Sequence, residues 1–497
     1  MLYMRNVIII CMVMLGLLGL EGCSQFLKEE SQSEVIPKTT SDFSELLLGS
    51  GYPTVSSPRF TFLSLLDDDC AQFLTHIGQK PDTHVNEQSA ITYLPYYSWQ
   101  PYMCDQDGYG NEINSAATTT IYAQFYSKIL GCNAVLDYID DAVGEDSEKN
   151  RVKAEALAVR SLLYFQLVNI YGEPYNHNKE ALGVPLRVSA NLTEEHMKRE
   201  TVGYIYEEVI AKGLQEAARL MDPLEIIRKN YRVNQPTIHI LLSRVYLYME
   251  RYEDCIDEVE IAIEQGIKLL DMVNNLGAIS SGKLYKPISY DNPEVEWLFG
   301  PAQVSDYAAY ALATAPDFRA LWDKENDQRF LANNFKTQLL IDSTTDNSVL
   351  TTKPRGTGEY GQSVRSAEAF LNRMEAYALL GEEGLALSEL NDFRKKRIID
   401  YQPVNLSGQA LLDEIRLERR KELCYEGHRW FDLRRQGMPE IRHVYKYEKG
   451  GSEYEFILEQ GDPMYTIPLP NSVLLQNSGL IQNASRDMEE RQSEIIR

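Results

Sequence analysis

Apolar residues recur at helical spacing through most of this chain. In residues 121–141, IYAQFYSKILGCNAVLDYIDD, one helix face collects Ile121, Phe125, Ile129, Cys132 and Leu136. Residues 151–171, RVKAEALAVRSLLYFQLVNIY, predict a second helix that stops at Gly172, with Pro174 beyond. An amphipathic pattern predicts another from about 202 to 220. Upstream, Thr39-Thr40-Ser41-Asp42 offers N-caps for a helix through Leu48 that ends at Gly49.

Residues 237–265 read as two helices joined by a tight turn. Leu242, Ser243, Tyr246, Tyr252, Cys255, Val259 and Ala262 alternate large and small as a tetratricopeptide hairpin requires. Small residues let two helices approach and large ones fill the gap between them. Residues 367–397 repeat the pattern with Tyr377, Gly381, Ala386, Leu390 and Phe393, and the helices at 121–141 and 151–171 offer a degenerate third pair. Other stretches lose this period. Residues 60–114 form a long, aromatic-rich loop, and residues 270–365 are irregular around a short strand in EVEWLFG, 294–300. A helix is predicted over 411–436, followed by two short strands or extended segments around a Gly461-Asp462 turn. The expected fold class is therefore mostly α: a tetratricopeptide-like helical-hairpin superhelix with a loop-rich, minor-β half.

The chain has 497 residues and a net charge of −24. That charge argues against nucleic acid, whose affinity comes from cations neutralising phosphates, and against adhesion to anionic lipid. Tyrosine is abundant, at 31 residues against 15 Phe and 4 Trp. Its apolar ring and polar tip suit ligands that are partly apolar, such as sugars, and equally suit helix seams. The cysteines make no CxxC pair and no His sits at a zinc spacing, so no metal or cofactor is expected. Cys132, Cys255 and Cys424 read as small buried hydrophobes, whereas pairing of Cys70 with Cys104 is left open. There is no HExxH, GxSxG, P-loop or dinucleotide fingerprint, and no carboxylate pair stands out for glycosidase chemistry.

The N-terminus carries Arg5 and then an apolar run, Val7 to Leu20, of signal-peptide length. Leu20-Glu21-Gly22-Cys23 resembles a bacterial lipobox, which implies cleavage before Cys23 and lipidation of its thiol. Residues 24–60 then begin as a polar tether. Near the other end, LLDEIRLERRKELCYEGHRWFDLRRQGMP, residues 411–439, mixes arginines and carboxylates with Tyr425, Trp430 and Phe431. Leu412, Ile415, Arg419, Leu423, Glu426 and Trp430 would share one helical face. Glu418 with Lys421, Glu426 with Arg429, and Arg429 with Asp432 are spaced to pair, with His428 as a hydrogen-bonding partner. Such charges fit a buried scaffold network better than a catalytic site.

This stretch resembles the C-terminal signature of the SusD/RagB family of outer-membrane lipoproteins. Arg416, Glu418, Arg419, Arg420, Glu422, Leu423, Glu426, Gly427, Arg429, Asp432, Leu433 and Gly437 fit it. Residues 154–175, 363–381 and 465–483 resemble further blocks of the family in the expected order. The resemblance implies a signal peptide over 1–22, an N-terminal region over 23–240 with the aromatic loop, and a C-terminal region over 241–497. It implies a non-enzymatic lipoprotein at the outer-membrane surface. Such a protein captures oligosaccharides or polysaccharides for a SusC-like TonB-dependent transporter, with peptide cargo as the alternative. Expected ligand contacts are Tyr96, Tyr97, Trp99, Tyr102 and Tyr109 of the loop, with Asp69, and with Tyr307 and Tyr310 as a second cluster.

Overall fold

The computed structural model describes residues 37–72, 74, 87–113, 118–191, 196–228, 231–275, 286–301, 312–332, 360–448 and 450–497. Cys23, the lipobox, Tyr307 and Tyr310 lie outside the described residues. Helices build the frame. Helix α1, Thr40–Leu46, opens on a capping box: Asp42 N–H donates to Thr39 Oγ1 at 3.1 Å, and Thr39 N–H donates to the Asp42 carboxylate at 2.9 Å. Helix α2, Thr118–Leu136, packs on α3, Asp146–Tyr171, and α3 packs on α4, Lys212–Met221. The expected face of α2 is buried at Ile121, Phe125, Ile129 and Cys132. A β-carbon on Gly131 would stand 2.4 Å from the Ser50 carbonyl carbon, so the chain after α1 can approach α2 only at glycine.

The two sequence repeats form helical hairpins. Helices α5, Gln235–Tyr248, and α6, Tyr252–Glu264, make the first; α7, Ser366–Leu379, and α8, Glu383–Lys395, make the second. Asn234 caps α5 by accepting from Thr237 N–H at 3.0 Å, and Pro236 sits in the first turn, where a missing N–H costs nothing. Gly381, at φ 82°, makes the turn before α8. Leu242, Ser243, Tyr246, Cys255, Val259 and Ala262 are buried at the seam as expected, as are Ala386, Leu390 and Phe393 of the second hairpin. The hairpins pack together through α7, where Asn372 donates to Ser243 Oγ at 2.9 Å. Residue 240 lies inside α5, so that helix spans the boundary between the two expected regions.

Short antiparallel strand pairs hang on this frame. They are β1, Cys70–Gln72, with β5, Leu312–Thr314; β2, Leu182–Pro185, with β3, Arg199–Thr201; and β4, Val295–Phe299, with β6, Gln362–Arg365. A three-stranded sheet orders β7, Ile441–Tyr445, then β8, Tyr454–Leu458, then β9, Glu494–Ile495. The strand expected in EVEWLFG is β4, buried along its whole length. The turn expected at Gly461-Asp462 does not join two strands. The hairpin instead closes earlier, with Gly450 at φ 83°, and pairs β8 with β7.

The helix expected over 411–436 is broken. Helix α9 spans Gly408–Leu423 and α10 spans Arg429–Arg435. Between them Tyr425, at φ 62°, and Gly427, at φ 83°, reverse the chain, and Tyr425 Oη donates to Thr314 Oγ1 at 2.8 Å. Glu426 and Trp430 therefore do not extend the α9 face, and the three expected short-range pairs give way to other partners, most of them distant in sequence. Arg365 of β6 binds Glu422 at 2.5 Å, Glu426 at 2.8 Å and Glu294 at 3.3 Å. Arg397 joins Glu294 at 2.7 Å to Glu422 at 3.1 Å, while Arg329 bridges Asp327, Glu418 and Glu422. Arg419 and Arg435 flank Asp432 at 2.8 Å each, and Arg435 continues to Glu375 on α7. Arg434 donates to the carbonyls of Asn169 and Gly172, closing the C-terminus of α3. His428 is buried in this region, and burial pushes its pKa down to about 4.

Two outcomes follow. Arg365→Met takes one cation from three buried carboxylates and should cost about 3–5 kcal/mol of unfolding free energy, read by denaturant titration. His239 of α5 lies between Glu258, 2.5 Å away, and Asp222, 3.1 Å away. Burial lowers its pKa, but the hydrogen bonds and charges of these carboxylates prevail and raise it from 6.5 to about 9. The folded state thus holds this proton more tightly than the unfolded chain. The contribution is complete below pH 6.5 and is lost as pH rises through about 9. His239→Gln should flatten the fall in urea midpoint over that interval.

Candidate functional site

The aromatic loop is anchored by its rings. Residues 87–92 and 94–97 form two short helices, and the chain then turns at Trp99, whose φ is 49°. That conformation is uncommon for a bulky residue and needs support. Trp99 Nε1–H donates to the Leu66 carbonyl at 3.1 Å, and its ring stacks on His443 of β7 at 4.2 Å. Tyr97 stacks on the other side of His443, also at 4.2 Å. The imidazole places Nδ1 2.7 Å from the Tyr97 carbonyl and Nε2 2.9 Å from that of Asp67. Burial drives its pKa down to about 4, against the pull of those two carbonyls. Tyr96 tilts against Phe62 and is buried too. Trp99 is 0% exposed and Tyr96 3%, so the expectation that these two rings face a ligand is corrected; Tyr97, also 3% exposed, borders the cleft between β1 and β7. They join the loop to the strands.

Beside this stack, Asp67, Asp68 and Asp69 meet two arginines from the α9–α10 region. Arg429 clasps Asp68 through two hydrogen bonds, at 2.6 and 2.8 Å. Arg420 donates to Asp69 at 2.7 Å and lies 3.2 Å from Asp68. Burial raises the pKa of Asp68, but Arg429 and Arg420 overcome it and hold the carboxyl well below the usual range. Asp67 has no such clasp, and burial with two neighbouring carboxylates pushes its pKa well up. Asp69 is 1% exposed, so its expected role as a ligand contact is corrected to a buried partner of Arg420.

Above this floor opens a cleft of about 730 Å³. One wall is β1 with residues 315–321 after β5; the other is β7 and the following turn. Two devices at its base hold the walls together. Gln72 uses its side-chain amide like a strand partner, donating to the Lys446 carbonyl at 2.7 Å and accepting from Lys446 N–H at 2.6 Å. Tyr97 Oη accepts from Gln72 N–H at 3.0 Å and donates to the Val444 carbonyl at 3.3 Å. Alternation along β7 buries Ile441, His443 and Tyr445 and turns Arg442 and Val444 outward, where with Lys446 they line the cleft. Phe318, Leu321 and Leu74 add apolar surface.

The same hairpin gathers tyrosines. Tyr447 meets Tyr445 and Tyr454 edge-on, each at 5.0 Å between centroids. Tyr109 lies near enough to Tyr445, and Tyr447 near enough to Tyr102, to raise the partner's hydroxyl pKa further, on top of burial. Tyr109 is exposed and Tyr102 half-buried, so two expected contacts remain accessible. Tyr447, 43% exposed, was not foreseen; the alternation of residues 441–447 before Gly450-Gly451 is the signal that marks it. Asp107 is taken up locally, accepting from the N–H groups of Tyr109 and Asn111 at 2.9 Å each. Cys70 and Cys104 are both buried free thiols, so they do not form a disulfide. Among the described residues, no group of three His, Cys, Asp or Glu could hold a metal ion.

Comparison with known proteins matches both halves of the chain. Residues 58–247 match a SusD-like family described as starch-binding and associating with the outer membrane, and residues 306–485 match the SusD family. A SusD-like protein of Formosa agariphila is 21% identical, over 86% of this chain and 91% of that one. A SusD superfamily protein of Bacteroides thetaiotaomicron superposes with a TM-score of 0.67 at 22% identity, covering 90% of this chain and 99% of its own. A putative sugar binding protein of Bacteroides vulgatus gives 0.67 at 23%, covering 91% and 99%.

The two aromatic roles separate by mutation. Trp99→Ala should cost about 3–5 kcal/mol in a denaturant titration, whereas Tyr109→Ala should stay within about 0.5 kcal/mol. Equal, small effects would return Trp99 to the surface.

Proposed function

Because this chain belongs to the SusD/RagB family, whose members are binding proteins rather than enzymes, we propose that it captures glycans at the cell surface. In this reading Cys23 carries the lipid that holds it on the outer membrane, and the bound oligosaccharide or polysaccharide passes to a SusC-like TonB-dependent transporter. The observation that carries the proposal is the cleft beside a hairpin bearing exposed tyrosine. A pyranose ring has apolar C–H faces and a rim of hydroxyls. Inside the cleft Leu321 and Val444 offer apolar surface for the faces, and Arg442, Lys446 and Glu453 supply charge-assisted partners for the rim, while Tyr447, Tyr109 and Tyr102, outside the cleft lining, offer ring surface to a further sugar unit.

A second reading keeps the transporter and changes the cargo to peptide. The mixed charges of Glu440, Arg442, Lys446 and Glu453 favour it, since a peptide also offers both signs.

Isothermal titration against oligosaccharides and against mixed peptides separates the two. Binding of an oligosaccharide is expected, and Tyr447→Ala with Tyr109→Ala should weaken it roughly fivefold each if both rings stack. Binding of peptides alone would replace the glycan reading.

A further inference from the structure

We propose, on the premise that the cleft binds glycans, that it selects uncharged ones and turns away those bearing uronate or sulfate. The reason lies in how its cations are already committed. Arg442 donates to Glu440 at 2.7 Å and to Glu455 at 2.8 Å. Lys446 lies 2.9 Å from Glu453. Arg420, at the floor, is held by Asp69 at 2.7 Å and Asp68 at 3.2 Å. These are the three cations among the described lining residues, and each faces a carboxylate of this chain. Four lining carboxylates, Asp68, Asp317, Glu440 and Glu453, outnumber them, within a chain of net charge −24.

An anionic sugar entering here meets a negative field and at each cation must stand beside a carboxylate already paired with it. A hydroxyl displaces nothing. Each guanidinium keeps N–H groups beyond those used in its pairs, and each carboxylate keeps free lone pairs. Hydroxyls can donate to one and accept from the other while the pairs stay closed, and Leu321 and Val444 take the C–H faces. Arg442 and Lys446 are exposed enough that their pairs can be rewritten without unfolding the wall.

The test titrates the wild type and the double variant Glu440→Gln/Glu453→Gln with two panels. One holds neutral gluco-, xylo-, manno- and galacto-oligosaccharides; the other holds galacturonate, glucuronate and sulfated galactan oligosaccharides. The wild type is expected to bind within the neutral panel only. The double variant, folded by its thermal transition, should gain about tenfold for anionic sugars at low salt and lose the gain at 1 M salt. A wild type that prefers an anionic sugar overturns the selection. A folded double variant that gains nothing overturns its ion-pair basis. Silence across both panels removes the glycan premise itself, an outcome distinct from either.

Discussion

The guanidinium of Arg365 touches three carboxylates from three parts of the chain: Glu294 before β4, Glu422 on α9 and Glu426 in the bend after it. Arg397 and Arg329 extend the contact to Asp327 and Glu418. All of these groups are buried. A buried charge without a partner costs several kcal/mol, so the elements carrying them have little freedom to shift against one another. Apolar packing alone tolerates sliding; a bidentate ion pair in a dry interior does not. The second repeat hairpin, β4, β6 and α9 are therefore held in one register.

That register reaches the surface through α9. Glu418, Arg419 and Glu422 turn inward to the frame, while Arg420 between them points to Asp68 and Asp69 at the cleft floor. After the bend, Arg429 takes the other side of Asp68. One helix thus carries the scaffold on one face and the base of the binding cleft on the next. At the base of the cleft Gln72 and Tyr97 span the gap between β1 and β7 by side-chain hydrogen bonds.

The family membership and this geometry fit a protein that binds without chemistry. Asp68 and the glutamates of the frame are neutralised by arginines, and among the site carboxylates it is Asp67 and Asp69, both buried, whose pKa rises. Accessible ring surface comes from the hairpin and the end of the loop. It is a small share of the aromatics, because Trp99, Tyr97 and Tyr96 are used to fasten the loop.

Helices were legible from sequence because their signal is local. A 3.6-residue period over 121–141, 237–265 and 367–397 specifies a face, and the seam residues Ser243, Cys255 and Ala262 show which faces must approach. Charge-dense α9 was legible as scaffold for the same reason, since Arg419 falls at helical spacing between the apolar Ile415 and Leu423 and must be buried with them. What only the tertiary structure decided was the partner of each charge and the side of each ring. Arg365 and Glu422 are 57 residues apart, and Tyr97 and His443 are 346. Local spacing favoured pairs three residues apart, such as Glu418 with Lys421, but burial strengthens whichever opposite charge is nearest in space. A tyrosine-rich loop has the same composition whether its rings face solvent or core. Here a strand from the far end of the chain supplied His443, and that stack drew the rings inward.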